Sequence, residues 1–560
     1  MIRIFSLLCL LIIVPAATLH SQEVVPAVSN PVSQAIGLVL NQHPTRTLGM
    51  LTVETGGQST DEQLKEIYHR HGLQPFWLTH NRPNQNAEIL LRTLSWSDQD
   101  GLNPDNYRVA RLLTLWDANN PLLLAELDVL LTLSLGRYVA DMREGSAEPC
   151  LLDPKIFASA RDRRVDLGQV IEEARQAENF KAYLHGQAPA HSAYQGLRRQ
   201  LARFRQYAKA GGWPVIGPGP VIKPGMADPR LPLIARRLQI TGELTVRPTK
   251  GVRYGGELVA AVKRFQKHYL LDQDGIIGKK TLAAMNIQPS VLIRKIILNM
   301  ERWRWLPHRL TGRRLFVNIA GFVLIGARDE QAEITMPVIV GKKYHETPVF
   351  TARLRYLVIN PYWNIPDSIA EKEIIPAMRR DPDYLRRHHI RILAGWAEDA
   401  PEIDPATIDW QTIGKGIRRY RLRQDPGPDN ALGRIKFILP NQNNIYLHDT
   451  PAQGLFKRTS RGFSHGCIRV SRPLDLAGYV LMENRKKTGT KKIRKIIASG
   501  KRTAIPLDTP LPVHILYRTV RVDKTSGDIF FYPDIYGRDG LLARALFARR
   551  PLSRCLYPPR

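Results

Sequence analysis

The sequence predicts an α+β multidomain protein with a helical amino-terminal half, a small three-helix module and a β-rich carboxy-terminal half that carries a helical insertion. Three observations predict it. The 560 residues exceed what one compact core organises, so roughly three or four folded units are expected, and an apolar fraction of 43% suits globular folding. Apolar residues recur at three- and four-residue spacing from about Ser59 to Ala210, then give way to short alternating runs from about Arg313. Between them the passage GGWPVIGPGPVIKPGMADPR breaks the periodicity, as a linker or wrapped loop does.

The chain opens with MIRIFSLLCLLIIVPAATLHSQ, in which Arg3 precedes an apolar run from Ile4 to Val14 and then small and polar residues. This is the pattern of an export signal over residues 1–21, cleaved after Ala17 or near Ser21, with an uncleaved anchor as the alternative. Leu8 before Cys9 does not fit a lipoprotein signal. No later segment approaches the roughly 20 apolar residues that span a bilayer, so a soluble periplasmic or cell-envelope location is expected. Removal of the signal leaves Cys150, Cys467 and Cys555, an odd number in a compartment that tolerates disulfides. At most one pair forms; Cys150 with Cys555 would leave Cys467 free, and the alternative is that both are unpaired.

The next elements follow in order. LLLAELDVLLTLSLGRYVADM and QGLRRQLARFRQYAKA carry helical spacing within a helical domain at 22–225. At 226–290, LPLIARRLQITGEL and GGELVAAVKRFQKHYLLDQDGIIGKKTLAAMNI form the three-helix module, with Leu258, Val262, Phe265 and Tyr269 on one face and a turn at Asp274 and Gly275. A return helix is assigned to 291–312. The runs RLFVNIAGFVLIGA, ITMPVIVG, LRYLVINPYW, RIKFILP, NIYLHDT and VHILYRTVRV then read as strands of a domain at 313–545. Helix-like inserts fall at Asp367 to Arg387 and at Pro473 to Asn484, the insertion at 366–429 reads as a cap over a cleft, and residues 546–560 form a basic tail.

The formal net charge of +30 implies a polyanionic partner. Nucleic acid is the usual first candidate for such a balance, but an exported protein meets anionic cell-envelope polymers instead. The densest run, RKKTGTKKIRK, is read as a solvated face.

Chemistry concentrates in two short stretches. RIKFILP, the turn NQNN and IYLHDT form a hairpin in which period-two alternation puts Tyr446 and His448 on one face and Ile445 and Leu447 on the other. Nineteen residues after His448, Cys467 begins a run in which Cys467, Arg469 and Ser471 share a side while Ile468 and Val470 point to the core. A thiol and an imidazole on adjacent strand ends suit nucleophilic catalysis: the imidazole takes the thiol proton and returns it to a leaving group. Gly466 allows close approach of a substrate, and the N–H groups of Gly466 and Cys467 are candidate oxyanion donors. A zinc site needs more ligands than His448, His465 and Cys467 supply, so no metal and no cofactor are expected. Spacing alone leaves the nucleophile and the packed core thiol both open.

The motif resembles the YkuD-type L,D-transpeptidases, which carry a His and then Ser/Thr-His-Gly-Cys followed by an apolar residue and Arg or Asn; here these are His448, Ser464, His465, Gly466, Cys467, Ile468 and Arg469. ERWRWLP, VGKKYHETPVF, NPYWNIP, RQDPGPDNALGRIKF and IYLHDTP are similar to the large periplasmic, cell-wall cross-linking members, and the likeness runs from about Gln63 to Gly540. Phe265, Gln266, Asp274, Gly275, Gly278 and Thr281 resemble the signature of a peptidoglycan-binding-like domain. The resemblance implies a helical scaffold domain, that inserted module, and a β-rich catalytic domain with a capping subdomain. It implies that Cys467 attacks the carbonyl of the third stem-peptide residue, diaminopimelate, and expels D-alanine, with His448 moving the proton. A neighbouring diaminopimelate amine would resolve the thioester into a 3→3 cross-link, and carbapenems would acylate the same thiol. The alternatives are an L,D-carboxypeptidase, attachment of an envelope protein by the same acyl-enzyme, and a non-catalytic wall-binding scaffold. Tyr446, Ser464, His465, Arg469 and Trp363 make up the substrate-binding set, Ser464 and His465 by shaping the turn. Phe463 and Ile468 are the packing residues beside Cys467. Expected partners are peptidoglycan stem peptides and glycan, together with other cell-wall synthesis enzymes.

Overall fold

The computed structural model describes residues 30–48, 58–147, 165–246, 253–397, 399–486 and 488–547, and the backbone of 156–157. The expected signal segment, Cys150, Cys555 and residues 548–560 of the tail lie outside these. No helix among the described residues is long and apolar enough to cross a membrane.

The amino-terminal unit is built around the helix Pro121–Glu144. Its sequence is apolar on nearly every side, and it is accordingly wrapped by other helices: Pro31–Asn41, Thr60–Arg70, Gln85–Ser95 and Leu167–Gln176 all contribute to one buried cluster with it. Its buried polar residues are paired. Asp128 accepts hydrogen bonds from the Tyr68 hydroxyl at 2.6 Å and the Phe76 and Trp77 main-chain N–H groups at 3.1 and 2.7 Å. Ser59 starts the Thr60–Arg70 helix with a capping box, its hydroxyl accepting from the Glu62 N–H while the Glu62 carboxylate accepts from the Ser59 N–H.

The second unit joins helices Ser192–Lys209 and Pro289–Arg304 to the three short helices Leu231–Thr241, Gly256–His268 and Lys279–Met285 in one hydrophobic cluster. The Gly/Pro-rich passage wraps the small module: Ile222 bridges Ile277, and Ile216 exchanges hydrogen bonds with the Asn286 side chain at 2.8 and 2.9 Å. The signature residues of the module close its turn. Gln266 donates to Asp274 at 2.9 Å and to the Ile276 carbonyl at 3.0 Å, and accepts from the N–H of Gly275, whose φ of +75° suits glycine.

The third unit is a closed barrel of eight strands. Around it run Ile435–Ile438, Leu447–His448, Ile468–Val470, Gln331–Gly341, Val323–Arg328, Arg313–Asn318, Thr503–Leu516 and Val349–Ile359, the last pairing back to the first. Inward-facing Leu, Ile and Val side chains fill it, each contributing about 1.5–3 kcal/mol by its burial. A register shift between Pro506 and Leu511 bends the longest strand around the barrel. The helix Thr490–Ala498 packs through Ile493 and leaves Lys491, Lys492, Arg494 and Lys495 exposed, so the basic run is a solvated face.

The insertion between Ile359 and Ile435 has its own core around Ile365, Ile374, Ile375, Met378, Ile392 and Leu422. Its helices are joined by a four-stranded antiparallel sheet ordered Glu402–Ile403, Ile390–Leu393, Arg421–Gln424, Trp363–Asn364. That sheet is absent from the sequence reading because two of its strands are two residues long and carry no periodicity. Asn430 closes the base of the insertion by donating to the carbonyls of Pro361 and Asp425 at 3.2 and 2.9 Å.

The scaffold is stitched to the barrel by buried Asn299 of the Pro289–Arg304 helix. Its side-chain oxygen accepts from the N–H groups of Thr519 and Val520 at 2.9 and 3.1 Å, and its amide donates to the Thr519 hydroxyl at 2.9 Å. Asn299→Ala strands both buried N–H groups and is expected to cost about 2–4 kcal/mol. Urea unfolding of the full chain checks this, and an unchanged midpoint would remove Asn299 from the stitch.

Candidate active site

The hairpin turn Asn441–Asn444 is built by Asn441, whose side-chain oxygen accepts from the N–H groups of Asn443 and Ile445 at 3.0 and 3.1 Å. It delivers Leu447–His448 antiparallel to Ile435–Ile438, with Lys436 opposite His448. On the other side the same strand pairs in parallel with Ile468–Val470, Leu447 with Ile468 and His448 with Arg469. Alternation then puts Lys436, Tyr446, His448, Cys467 and Arg469 on one face, while Ile435, Phe437, Ile445, Leu447, Ile468 and Val470 go into the core.

His448 is 4% exposed. Its Nδ1 lies 2.6 Å from the main-chain oxygen of Asp449. A carbonyl only accepts, so Nδ1 carries the proton and Nε2 offers its lone pair. Burial first, then the positive charges of Arg469 and Lys436, pull its pKa from 6.5 down to about 3, against the Asp449 hydrogen bond. The imidazole is therefore neutral throughout the working range of pH.

Cys467 is half-buried against the barrel core, its Sγ 3.9 Å from the Asn444 carbonyl. Burial pushes the thiol pKa up. The Tyr446 main-chain N–H and phenol, the Lys436 ammonium and the Arg469 guanidinium oppose that rise. The Tyr446 ring meets the His448 ring edge-on at 5.6 Å and carries the Lys436 Nζ 3.8 Å from its centroid. Resting thiol and imidazole are both neutral, and the surroundings supply donors for a thiolate when one forms.

The turn before Cys467 departs from the sequence expectation in one hydrogen bond. Ser464 is buried; its hydroxyl donates to the Cys467 carbonyl at 2.5 Å and accepts the Gly466 N–H at 3.2 Å. The Gly466 N–H is thus occupied inside the turn and is not free for an oxyanion, which corrects the expected role of this amide. Gly466 is required instead for its φ of +115°, a conformation closed to other residues without strain. Its carbonyl accepts from the Thr347 hydroxyl at 2.8 Å, which also accepts the Gly341 N–H at 2.9 Å. The Tyr536 hydroxyl donates to the Gly341 carbonyl at 2.6 Å, and buried Arg538 bridges Glu346 at 3.1 Å and the Thr347 carbonyl at 3.4 Å. Phe463, expected as a packing residue, is half exposed with Arg458 over its ring, whereas Ile468 is fully buried.

Two of the remaining candidates sit elsewhere. His465 turns toward the cap and meets Glu373 at 2.8 Å, with Lys342 at 3.3 Å and the His345 ring at 4.9 Å. Trp363 pairs with Gln424 in the cap sheet and packs against the cap core, which places it in the insertion's own fold. Lys436, Thr347, Tyr536 and Glu373 were missed. Only Lys436 left a signal, as a cation between the apolar residues Ile435 and Phe437 of the run RIKFILP. Among the described residues no group of three His, Cys, Asp or Glu is arranged to hold a metal ion.

Three family models match the chain: the YkuD L,D-transpeptidase catalytic domain over residues 312–513, a scaffold domain over 62–201, and the "Putative peptidoglycan binding domain" over 229–285. A curated relative from Haemophilus influenzae, named "Putative L,D-transpeptidase", is 38% identical over 252 residues, which is 45% of this chain and 49% of the relative. The chain thus matches about half the length of that relative. Solved L,D-transpeptidases from Xylanimonas cellulosilytica and Stackebrandtia nassauensis are similar at 12% and 13% identity. They cover 54% and 52% of this chain and 100% and 94% of their own, and TM-scores of 0.16 and 0.21 leave those superpositions without weight.

The depressed pKa of His448 has a direct consequence for stability. Unfolded His448 titrates near its ordinary 6.5 and folded His448 near 3, so between those values the unfolded chain binds the extra proton. Stability is therefore complete above pH 6.5 and falls as the pH drops toward 3. His514, pulled down to about 4 by burial and nearby arginines, acts in the same direction. His448→Gln is expected to make the loss between pH 6.5 and 4 shallower, by up to about 1.4 kcal/mol per pH unit, in urea titrations at stepped pH.

Proposed function

We propose, from the premise that this chain carries a YkuD-type L,D-transpeptidase catalytic domain alongside scaffold and peptidoglycan-binding domains, that it cross-links peptidoglycan stems through an acyl-enzyme on Cys467. The observation that supports this best is the shared sheet face, on which Tyr446 and His448 stand beside Cys467 and Arg469 on paired parallel strands. His448 Nε2 takes the Cys467 proton as Sγ attacks the diaminopimelate carbonyl of a tetrapeptide stem. The Tyr446 phenol, on the same sheet face as the sulfur, and the Cys467 N–H are the donors for the oxyanion. The protonated imidazole then returns its proton to the nitrogen of the leaving D-alanine as the C–N bond breaks. In the second half-reaction His448 accepts a proton from a neighbouring diaminopimelate amine, which attacks the thioester, restores the thiol and leaves a 3→3 cross-link. The energy of the cleaved peptide bond is conserved in the thioester, so no nucleotide is needed.

The reading places the mature protein in the periplasm, where this substrate lies, and makes the Cys467 thiol a target for carbapenem acylation. Incubation with disaccharide-tetrapeptides followed by mass spectrometry tests it. The wild type should give 3→3 dimers and a single covalent carbapenem adduct, Cys467→Ala neither, and His448→Gln should lower the acylation rate by about 10²- to 10⁴-fold. Tripeptides without dimers would assign water as the acceptor and make the chain a carboxypeptidase. Absence of any wild-type adduct would overturn the reading.

A further inference from the structure

One row of side chains crosses the sheet beside the nucleophile: Lys436 opposite His448, and His448 opposite Arg469. The proposed base is thus flanked by a cation on either side. Neither cation forms an ion pair with a carboxylate among the described residues, and the Arg469 Nε is buried without a hydrogen-bond partner. The Lys436 Nζ rests on the Tyr446 ring, and Arg502 adds a further positive charge nearby.

The acidic groups that face this row are already engaged. Asp449 accepts from the N–H groups of Arg434 at 2.8 Å and Thr450 at 2.7 Å, and Glu373 of the cap is bound to His465 at 2.8 Å. Two partly buried cations, of which only Arg469 feels a carboxylate, Glu373 of the cap, are costly to keep, and they add to burial in holding His448 in its neutral form. The site is therefore short of one negative charge, and short of it at the place where the imidazole must become positive.

We propose that Lys436 and Arg469 form a seat for the carboxylate of the residue that leaves the donor stem, and that filling this seat is what lets His448 accept the Cys467 proton. The inference rests on the acyl-enzyme reading above. A carboxylate on the two cations offsets their field on His448, so the imidazolium becomes tolerable only when donor is bound. The thiol proton then passes to Nε2, Sγ bonds to the carbonyl carbon, and the C–N bond breaks as the proton reaches the departing amine. The carboxylate leaves with that amino acid, and the seat empties before the acceptor enters. Selection for a donor with exactly one residue beyond the scissile bond follows, because only then does a terminal carboxylate lie beside the reacting carbonyl.

The test compares one tetrapeptide stem as its free acid and as its carboxy-terminal amide, following the acyl-enzyme by intact mass spectrometry on the full chain. Amidation is expected to slow wild-type acylation about 10- to 100-fold, the range for losing a charged hydrogen-bonded contact. Lys436→Met is expected to lower the ratio of the free-acid rate to the amide rate about 10-fold, and Lys436→Arg to restore most of that ratio. Equal wild-type rates for acid and amide would overturn the proposal, as would a Lys436→Met variant that slows both alike, the mark of a structural role. Should Lys436→Met fail to fold, the wild-type pair and Lys436→Arg decide. Failure of the acyl-enzyme reading looks different, since neither peptide would then give an adduct.

Discussion

The parallel pairing of Leu447–His448 with Ile468–Val470 is the constraint on which the site depends. Parallel neighbours cannot be joined by a tight turn, so the chain must leave the sheet after His448 and cross back to the opposite end before Ile468. It does so through the short helix Gln453–Lys457 and the strand Gly462–Ser464 laid along Val340–Gly341. The long spacing between histidine and cysteine is the length of that crossover. A one-residue slip would turn Cys467 into the core and bring Ile468 to the cleft, which the barrel resists because every inward side chain would reverse with it. Closure of the barrel by Ile435–Ile438 against Val349–Ile359 fixes the register from the other side.

This arrangement was legible in the sequence where local rules apply. Alternation in IYLHDT and CIRVS assigned each side chain to a face, and the three-helix module declared itself through its turn residues. Contacts between distant segments were not legible. Nothing in VGKKYHETP marks Thr347 as the prop beneath the Gly466 carbonyl, since its partners Tyr536 and Arg538 come from the far end of the chain. The oxyanion assignment failed for a related reason: the Ser464 hydroxyl, one turn away, competes for the Gly466 amide. Two-residue strands in the cap gave no periodicity that would have paired Trp363 with Gln424 and laid it against the cap core.

The electrostatics describe a resting site of two neutral groups. A half-buried thiol whose pKa is raised stays protonated at rest, and reactivity follows the thiolate. The donors around Cys467, from the Tyr446 phenol to the Arg469 guanidinium, are already in place, so forming the thiolate needs little reorganisation once the proton moves. The cap shares in this control through the contact of Glu373 with His465, which joins the insertion to the turn that carries the nucleophile.

The cluster that unites the small helical module with the scaffold also takes in Leu516, at the end of the longest barrel strand, and Val520 and Phe531 of the strand pair that comes after it. Module and barrel thereby share one hydrophobic core. A polymer gripped by the module would be held at a set distance and angle from Cys467. On the proposed function, the protein would work as a calliper whose jaw spacing decides which neighbouring strands can be joined, and not as a catalytic head on a leash.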